Sequence, residues 1–341
     1  MKKLNCGVVG VGRVGMMHIK NLLNIPSINI LGVSDLFIEN AEDELNMLGI
    51  EHCYKDYQEL LCDEELEALF IFSSTDSHEK IAIDAAKAKK HIFCEKPLSM
   101  DTNEESSLKV LRAVKENDVK MQIAFNRRVD RQFRKIYQDV RDGKIGDPQI
   151  IKITSRDPDL LPHELIKRIG GLLFDFTMHD FDMARYMAGS NIKEVYARGN
   201  TLIDPTLKDI NDIDTLAIVL EFENGSFGLI DNSRRAVYGY DQRVEVFGSK
   251  GMLKAENVSD STVELYGEQS LEMENPLPIF MERYHQAYDT EVRLFVEAIL
   301  NNQPLVATGM DVIMAQRAAV AAQESIATGK PVVVDTTYPK I

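Results

Sequence analysis

The chain has 341 residues, 44% of them hydrophobic and 27% charged, which is enough apolar material for two ordinary globular domains and excludes a disordered composition. Fifty-four acidic against 39 basic residues leave a formal charge of -15, which disfavours nucleic acid and anionic membrane surfaces as partners, and no basic patch offsets it. Cys6, Cys53, Cys62 and Cys94 form no C-x-x-C pair and no metal-ligand spacing, so they read as free thiols in a reducing compartment. The start MKKLNCGVVG is interrupted by glycines and Arg13 before a signal-like apolar region develops, and no stretch reaches membrane-spanning length. A cytoplasmic protein is expected.

In chain order, short apolar runs alternate with helical patterns through the first 120 or so residues. NCGVVG precedes a helix around MMHIKNLLN, INILGVSD precedes IENAEDELNML, ALFIFSS precedes HEKIAIDAAKAK, and HIFCEKP precedes NEESSLKVLRAVKEN. This alternation predicts parallel βαβ units in a doubly wound α/β domain over 1–123, closed by KMQIAF. From 124 on, the helix RQFRKIYQDVRDG is followed by strand candidates QIIKITS, IKEVYARG, DTLAIVLEF, SFGLIDN, RVEVFGS, GMLKAE and TVELYG. Turn signals such as ENGS and GSKG between them predict a large, mainly antiparallel, open-faced sheet in an α+β domain over 124–341. Helical patterns return at AYDTEVRLFVEAILNN and MDVIMAQRAAVAAQESIATG. Whether these helices pack back on the first domain is left open.

Gly10, Gly12 and Gly15 stand in G-x-G-x-x-G spacing between the first strand and the first helix, and Asp35 ends the next strand 20 residues later. That context predicts a Rossmann dinucleotide site, with a tight turn, backbone brought close to a pyrophosphate, and a helix N-terminus facing the phosphates. Asp35 would accept the adenosine ribose hydroxyls and repel a 2′-phosphate, so NAD is expected as the cofactor. Ser73, Ser74 and Thr75 follow the strand ALFIF at the carboxyl edge of the sheet and are candidate cofactor contacts. Lys96, ahead of Pro97 in CEKPLS, would lie at the nicotinamide end of the same edge.

GGLLFDFTMHDFDMARYM, residues 170–187, places Asp175, His179 and Asp182 at helical spacing among Phe174, Phe176, Met178, Phe181 and Met183. Polar groups in so apolar a helix need partners or a task. His163 and His179 stand near carboxylates, but with no H-x-x-x-H or H-E-x-x-H spacing no metal is expected. His18 in the first helix reads as a packing or capping residue.

Taken together, GVVGVGRVGMMH, CEKPLS, AFNRRVD, SRDP, GGLLFDFTMHDFDMARYM and NSRRAVYGYDQRVEVFGSKG resemble the Gfo/Idh/MocA oxidoreductase family, in particular its inositol dehydrogenases. The likeness extends over RYHQAYDTEVRLFVEAI and the closing GKPVVVD. The resemblance implies a catalytic set of Lys96, Asp175 and His179, with Arg13, Val14, His78 and Glu95 completing the cofactor surface. It implies substrate contacts from Arg127, Asp157, Asp182 and Tyr238 beside the catalytic three. A neutral imidazole suits removal of a hydroxyl proton while hydride leaves carbon, so His179 is the expected base, oriented by Asp175, with Lys96 stabilising the reacting oxygen. The implied activity is NAD-dependent oxidation of myo-inositol to 2-keto-myo-inositol, and the implied assembly a homotetramer. Alternatives are oxidation of scyllo-inositol, another isomer or an aldose; a dinucleotide-binding regulator without chemistry; and an NAD-dependent glycosidase.

Overall fold

The computed structural model describes residues 2–99 and 103–341 and divides into two compact units. The first runs to Val129 and includes Gln286–Ile313 and Tyr338–Ile341; the second comprises Asp130–His285 and Met314–Thr337. The first unit thus extends six residues past the boundary expected at 123 and also holds most of a C-terminal helix. The sequence pattern gives no reason for this return, because an amphipathic helix does not name the sheet it covers.

In the first unit β1 (Leu4–Val9), α1 (Arg13–Leu23), β2 (Ile28–Ser34), α2 (Glu42–Met47), β3 (Cys53–Tyr54) and α3 (Tyr57–Leu61) form the first half. Strands β4 (Ala68–Ile71), β5 (His91–Cys94) and β6 (Met121–Ile123), with helices α4 (Thr75–Lys87) and α5 (Glu105–Glu116), form the second. All six strands are parallel in the order β3-β2-β1-β4-β5-β6. The order reverses between β1 and β4, so their carboxyl ends open the crevice where such sheets bind ligands. Strands buried on both faces explain the uninterrupted apolar runs ALFI and HIFC. The core gathers Leu4, Val8, Ile19, Val33, Phe70 and Phe93 with Val292 and Phe295 from the returning helix.

The second unit begins with α6 (Arg131–Arg141), β7 (Pro148–Arg156), α7 (His163–Ile169), a π-helical turn (Leu172–Thr177) and α8 (Met178–Ala188). Next come β8 (Ile192–Asn200), β9 (Thr215–Phe222), β10 (Phe227–Ser233), β11 (Asp241–Gly248), β12 (Gly251–Ala255), and a separate hairpin of β13 (Glu264–Tyr266) and β14 (Leu271–Met273). After α9 (Phe280–Arg283), α10 (His285–Leu300) and α11 (Gly309–Thr328), β15 (Val332–Val333) joins the sheet edge. The large sheet runs β12-β11-β7-β10-β9-β8-β15, antiparallel except for the parallel pair β7–β10. Ser155 of β7 and Asn232 of β10 turn towards α8, where both hydrogen-bond Asp180. By strand alternation Ile150, Phe227 and Leu229 lie on the opposite face, and they are exposed.

Candidate active site

In the first unit the site is made mainly of backbone. Gly10 has φ +105, and a Cβ there would lie 2.6 Å from the Phe72 carbonyl and the Ser73 nitrogen. A Cβ on Gly15 would meet the Gly10 oxygen at 2.1 Å, so helix and turn pack at glycine distance. Around Gly12 the same test finds nothing within 4 Å. That open side, at an α1 N-terminus with no side-chain cap, suits the close approach of a pyrophosphate. Arg13 and Val14 open α1 at this point.

Asp35 joins the turn directly. Its Oδ2 accepts the Val11 N–H at 2.9 Å and its Oδ1 the Phe37 N–H at 2.8 Å, which fixes a carboxylate at the tip of β2. Leu36 and Phe37 beside it are exposed and no cation follows, so the acceptor presented here fits an unphosphorylated ribose. Ser73 and Ser74 form the turn after β4, Thr75 begins α4, and the Ser73 and Ser77 hydroxyls pair at 2.6 Å.

His78 is placed differently from the cofactor contacts with which it was grouped. It is 1% exposed; Nδ1 lies 2.8 Å from the Pro97 carbonyl and Nε2 3.0 Å from the Ser73 carbonyl. Burial lowers its pKa against these bonds, and the ring links the turns after β4 and β5. The Lys96–Pro97 bond is cis, and Glu95 Oε2 accepts the Lys96 backbone N–H at 3.2 Å. Arg127 is buried in the short helical turn Asn126–Val129.

In the second unit side chains build the site. Gly170 and Gly171 both take positive φ, ending α7, and the Asp212 carboxylate occupies the space a Gly171 Cβ would need while accepting the Leu172 N–H at 3.0 Å. The chain then enters the π turn, in which hydrogen bonds skip five residues. Asp175 therefore lies in the π turn whereas His179 and Asp182 lie in α8, so the expectation of one regular helix over 170–187 is corrected. Asp175 and His179 are half-buried; Asp182 is only 1% exposed.

Arg234, a residue not singled out from the sequence, lies at the centre of this group. It is 1% exposed, with Nη1 3.1 Å from Asp157 and 3.7 Å from Asp175, and its guanidinium lies over the Phe176 ring. One buried cation thus holds two carboxylates, joining Asp157 to the helix that carries His179. Asp180 is a second omission. It accepts the Ser155 hydroxyl at 2.6 Å and the Asn232 amide at 2.8 Å, while Thr177 donates to Asn232 at 2.8 Å, so the π–α junction is pinned to the sheet. The D-x-x-x-H-D-x-D pattern contained Asp180, but nothing in its spacing distinguished an anchor from a contact.

Tyr238 stands apart. Its hydroxyl donates to Asp241 at 2.6 Å and accepts from Arg156 at 3.1 Å. Arg156 and its partner Asp231 alternate with Ser155 and Asn232, so Tyr238 belongs to the sheet face opposite α8. It lines a cavity of about 630 Å³ there with Arg156, Arg198, Asp231 and Arg235. The expected grouping of Tyr238 with Asp175 and His179 is therefore not what the structure shows. The reason is strand parity, which a loop sequence does not reveal.

The sequence of the first unit matches the oxidoreductase family with an NAD-binding Rossmann fold over residues 4–125, and that of the second matches the GFO/IDH/MocA C-terminal domain over 133–254. The chain belongs to the Gfo/Idh/MocA oxidoreductase family. It is 45% identical to an uncharacterised oxidoreductase of Bacillus subtilis over 98% of both chains. It is 42% identical to myo-inositol 2-dehydrogenase of Thermotoga maritima over 95% of this chain and 96% of the relative. Among solved structures, scyllo-inositol dehydrogenase of Lactobacillus casei with bound NAD(H) and scyllo-inositol superposes with a TM-score of 0.90 at 29% identity, covering 98% of this chain and all of that one, 100%. Membership makes the first unit the NAD-binding Rossmann domain of a Gfo/Idh/MocA oxidoreductase.

Proposed function

We propose that this Gfo/Idh/MocA oxidoreductase oxidises myo-inositol at one ring carbon to 2-keto-myo-inositol. The observation that carries the reading is the Asp157–Arg234–Asp175 arrangement beside His179, built in a chain 42% identical to a myo-inositol 2-dehydrogenase. Bound NAD supplies the hydride acceptor. His179 takes the hydroxyl proton, and Asp175, held by Arg234, stabilises the resulting imidazolium. Lys96 donates to the reacting oxygen as negative charge develops on it. Arg127, Asp157 and Asp182 are further contacts for the hydroxyls of an uncharged polyol, which needs several to be oriented.

The uncovered sheet face supports a homotetramer. Met252, Phe247, Ile150 and Phe227 stand side by side across β12, β11, β7 and β10, and Leu229 faces Val219 in the next pair of strands. All six are exposed, a contiguous apolar surface of the kind subunits cover. The four free cysteines support a cytoplasmic setting, and the charge of -15 supports the absence of a nucleic-acid partner. No described helix is long and apolar enough to cross a membrane.

The test is reduced-nicotinamide absorbance with NAD and, separately, myo-inositol, scyllo-inositol, D-chiro-inositol and glucose, with Lys96→Ala as blank. Turnover led by myo-inositol supports the reading, turnover led by scyllo-inositol replaces the substrate, and silence on all four overturns it.

A further inference from the structure

His18, in α1, is fully buried, its ring stacked on Phe72 at 4.1 Å with Tyr288 edge-on at 5.4 Å. Its Nε2 lies 3.5 Å from a Glu95 oxygen and 3.9 Å from a Glu291 oxygen. The Glu291 side chain is 2% exposed and that of Glu95 16%. Neither ring nitrogen of His18 and neither carboxylate oxygen of Glu291 has a hydrogen-bond partner among the described residues. One donor atom from each residue lies within 4.8 Å of the other two.

Two carboxylates around one imidazole in so dry a place need a neutralising charge, and either a divalent cation or a proton provides it. A metal-bound imidazole almost always donates its other N–H to an acceptor, and His18 Nδ1 has none. The proton is therefore the better match, and its holder is the carboxyl with less access to water. Burial first, and then the negative charge of Glu95, push the Glu291 carboxyl well above its usual range. The other polar groups around the cluster are Tyr288 on the same helix, Cys94 and His78, which feel the Glu95 charge, and Gln122 of β6, whose amide donates to the Glu291 backbone carbonyl at 3.2 Å.

Glu95 immediately precedes Lys96 and accepts its backbone N–H, so whatever holds the Glu95 carboxylate also holds the turn that presents the lysine. We propose that Glu291 is a positioning residue for the reaction: an uncharged carboxylic acid whose lack of charge lets Glu95 keep its place beside His18, and with it the turn carrying Lys96. The positioning role rests on the reading of Lys96 given above; the charge state of Glu291 does not.

The experiment compares wild type with Glu291→Gln and Glu291→Leu at neutral pH, using three readouts. The wild-type-minus-Gln infrared difference spectrum is expected to contain the carbonyl stretch of a protonated carboxylic acid. Turnover of Glu291→Gln is expected within twofold of wild type, and that of Glu291→Leu at least tenfold lower. Elemental analysis of the purified wild type is expected to find no stoichiometric divalent metal. Absence of the infrared band, a loss in the Gln variant as large as in the Leu variant, full activity in the Leu variant, or a stoichiometric metal lost on substitution with Gln each overturns the proposal. If Glu291→Leu does not fold, the infrared band and the Gln variant still decide it. A protein with the band that is silent on every inositol keeps the charge assignment and loses the positioning role with the reading of Lys96. An inositol-active protein without the band loses this proposal alone.

Discussion

In the first unit the proposed ligand surface is backbone, with Gly10 pressed against Phe72 and Ser73, Gly12 open, and Asp35 held by two N–H groups. In the second unit it is side chains, with Asp157 and Asp175 around buried Arg234 and the π–α junction pinned through Asp180 and Asn232. A surface of turns and glycines is specified by local conformation, so it tolerates no added atoms but carries little charge of its own. A surface of buried ions is specified by distant partners, so it fails when any one partner is removed. Substitutions in the two halves should accordingly fail in different ways.

The largest effect is expected at His179. Removing a general base typically costs 10²–10⁴ in rate. His179→Ala should therefore lower kcat on myo-inositol by about a thousandfold while NAD affinity, read by fluorescence titration, stays within twofold. Arg234→Ala comes next, because breaking a buried ion pair leaves carboxylates uncompensated and costs about 3 kcal/mol of stability. Denaturant unfolding should show that loss together with a fall in kcat. A variant as stable and active as wild type would remove Arg234 from the account.

The glycine turn offers a paired test of the backbone half. Gly10→Ala forces a Cβ within 2.6 Å of backbone and should lower the melting temperature. Gly12→Ala meets nothing within 4 Å, so it should leave the melting temperature unchanged and raise KM for NAD about tenfold. Equal thermal losses in the two variants would contradict the assignment of Gly12 to the ligand.

A smaller effect is expected from pH. The Glu291 carboxyl is raised in the folded state, so unfolding releases a proton above the ordinary glutamate pKa and this contribution to stability falls as pH rises. Glu291→Gln lacks that release. Its stability relative to wild type should rise with pH above the ordinary glutamate pKa. Parallel stability curves for the two proteins would show that Glu291 ionises normally. The smallest change in the isolated chain is expected for Phe227→Lys on the uncovered sheet face, which should lower the mass by light scattering and leave the secondary structure intact.

The sequence made the first unit legible because its signals are local. The G-x-G-x-x-G turn, the aspartate 20 residues on and the βαβ alternation each follow from neighbours in the chain. In the second unit the residue types Asp175 and His179 could be read, but their setting could not. The π turn depends on Asp212, forty residues away from Leu172, and Asp175 is held by an arginine three strands later in the chain. Arg234 lay within a quoted motif without distinction, since a lone arginine near a strand end is usually solvated. Tyr238 looked like a substrate contact from its motif, and only the alternation of Ser155 and Arg156 along β7 shows that it belongs to the other face. The return of a helix to the first unit was an open possibility that the sequence could not decide, and the Glu291 carboxyl it buries against His18 gave no signal.

The most direct test of the central claim is single-turnover formation of reduced nicotinamide from NAD and myo-inositol, followed by absorbance for wild type and His179→Ala at one neutral pH and saturating NAD. The account predicts rapid formation in the wild type and formation at least a hundredfold slower in the variant with NAD still bound. Equal rates in the two proteins would contradict it, placing the proton acceptor somewhere other than the helix that Arg234 secures.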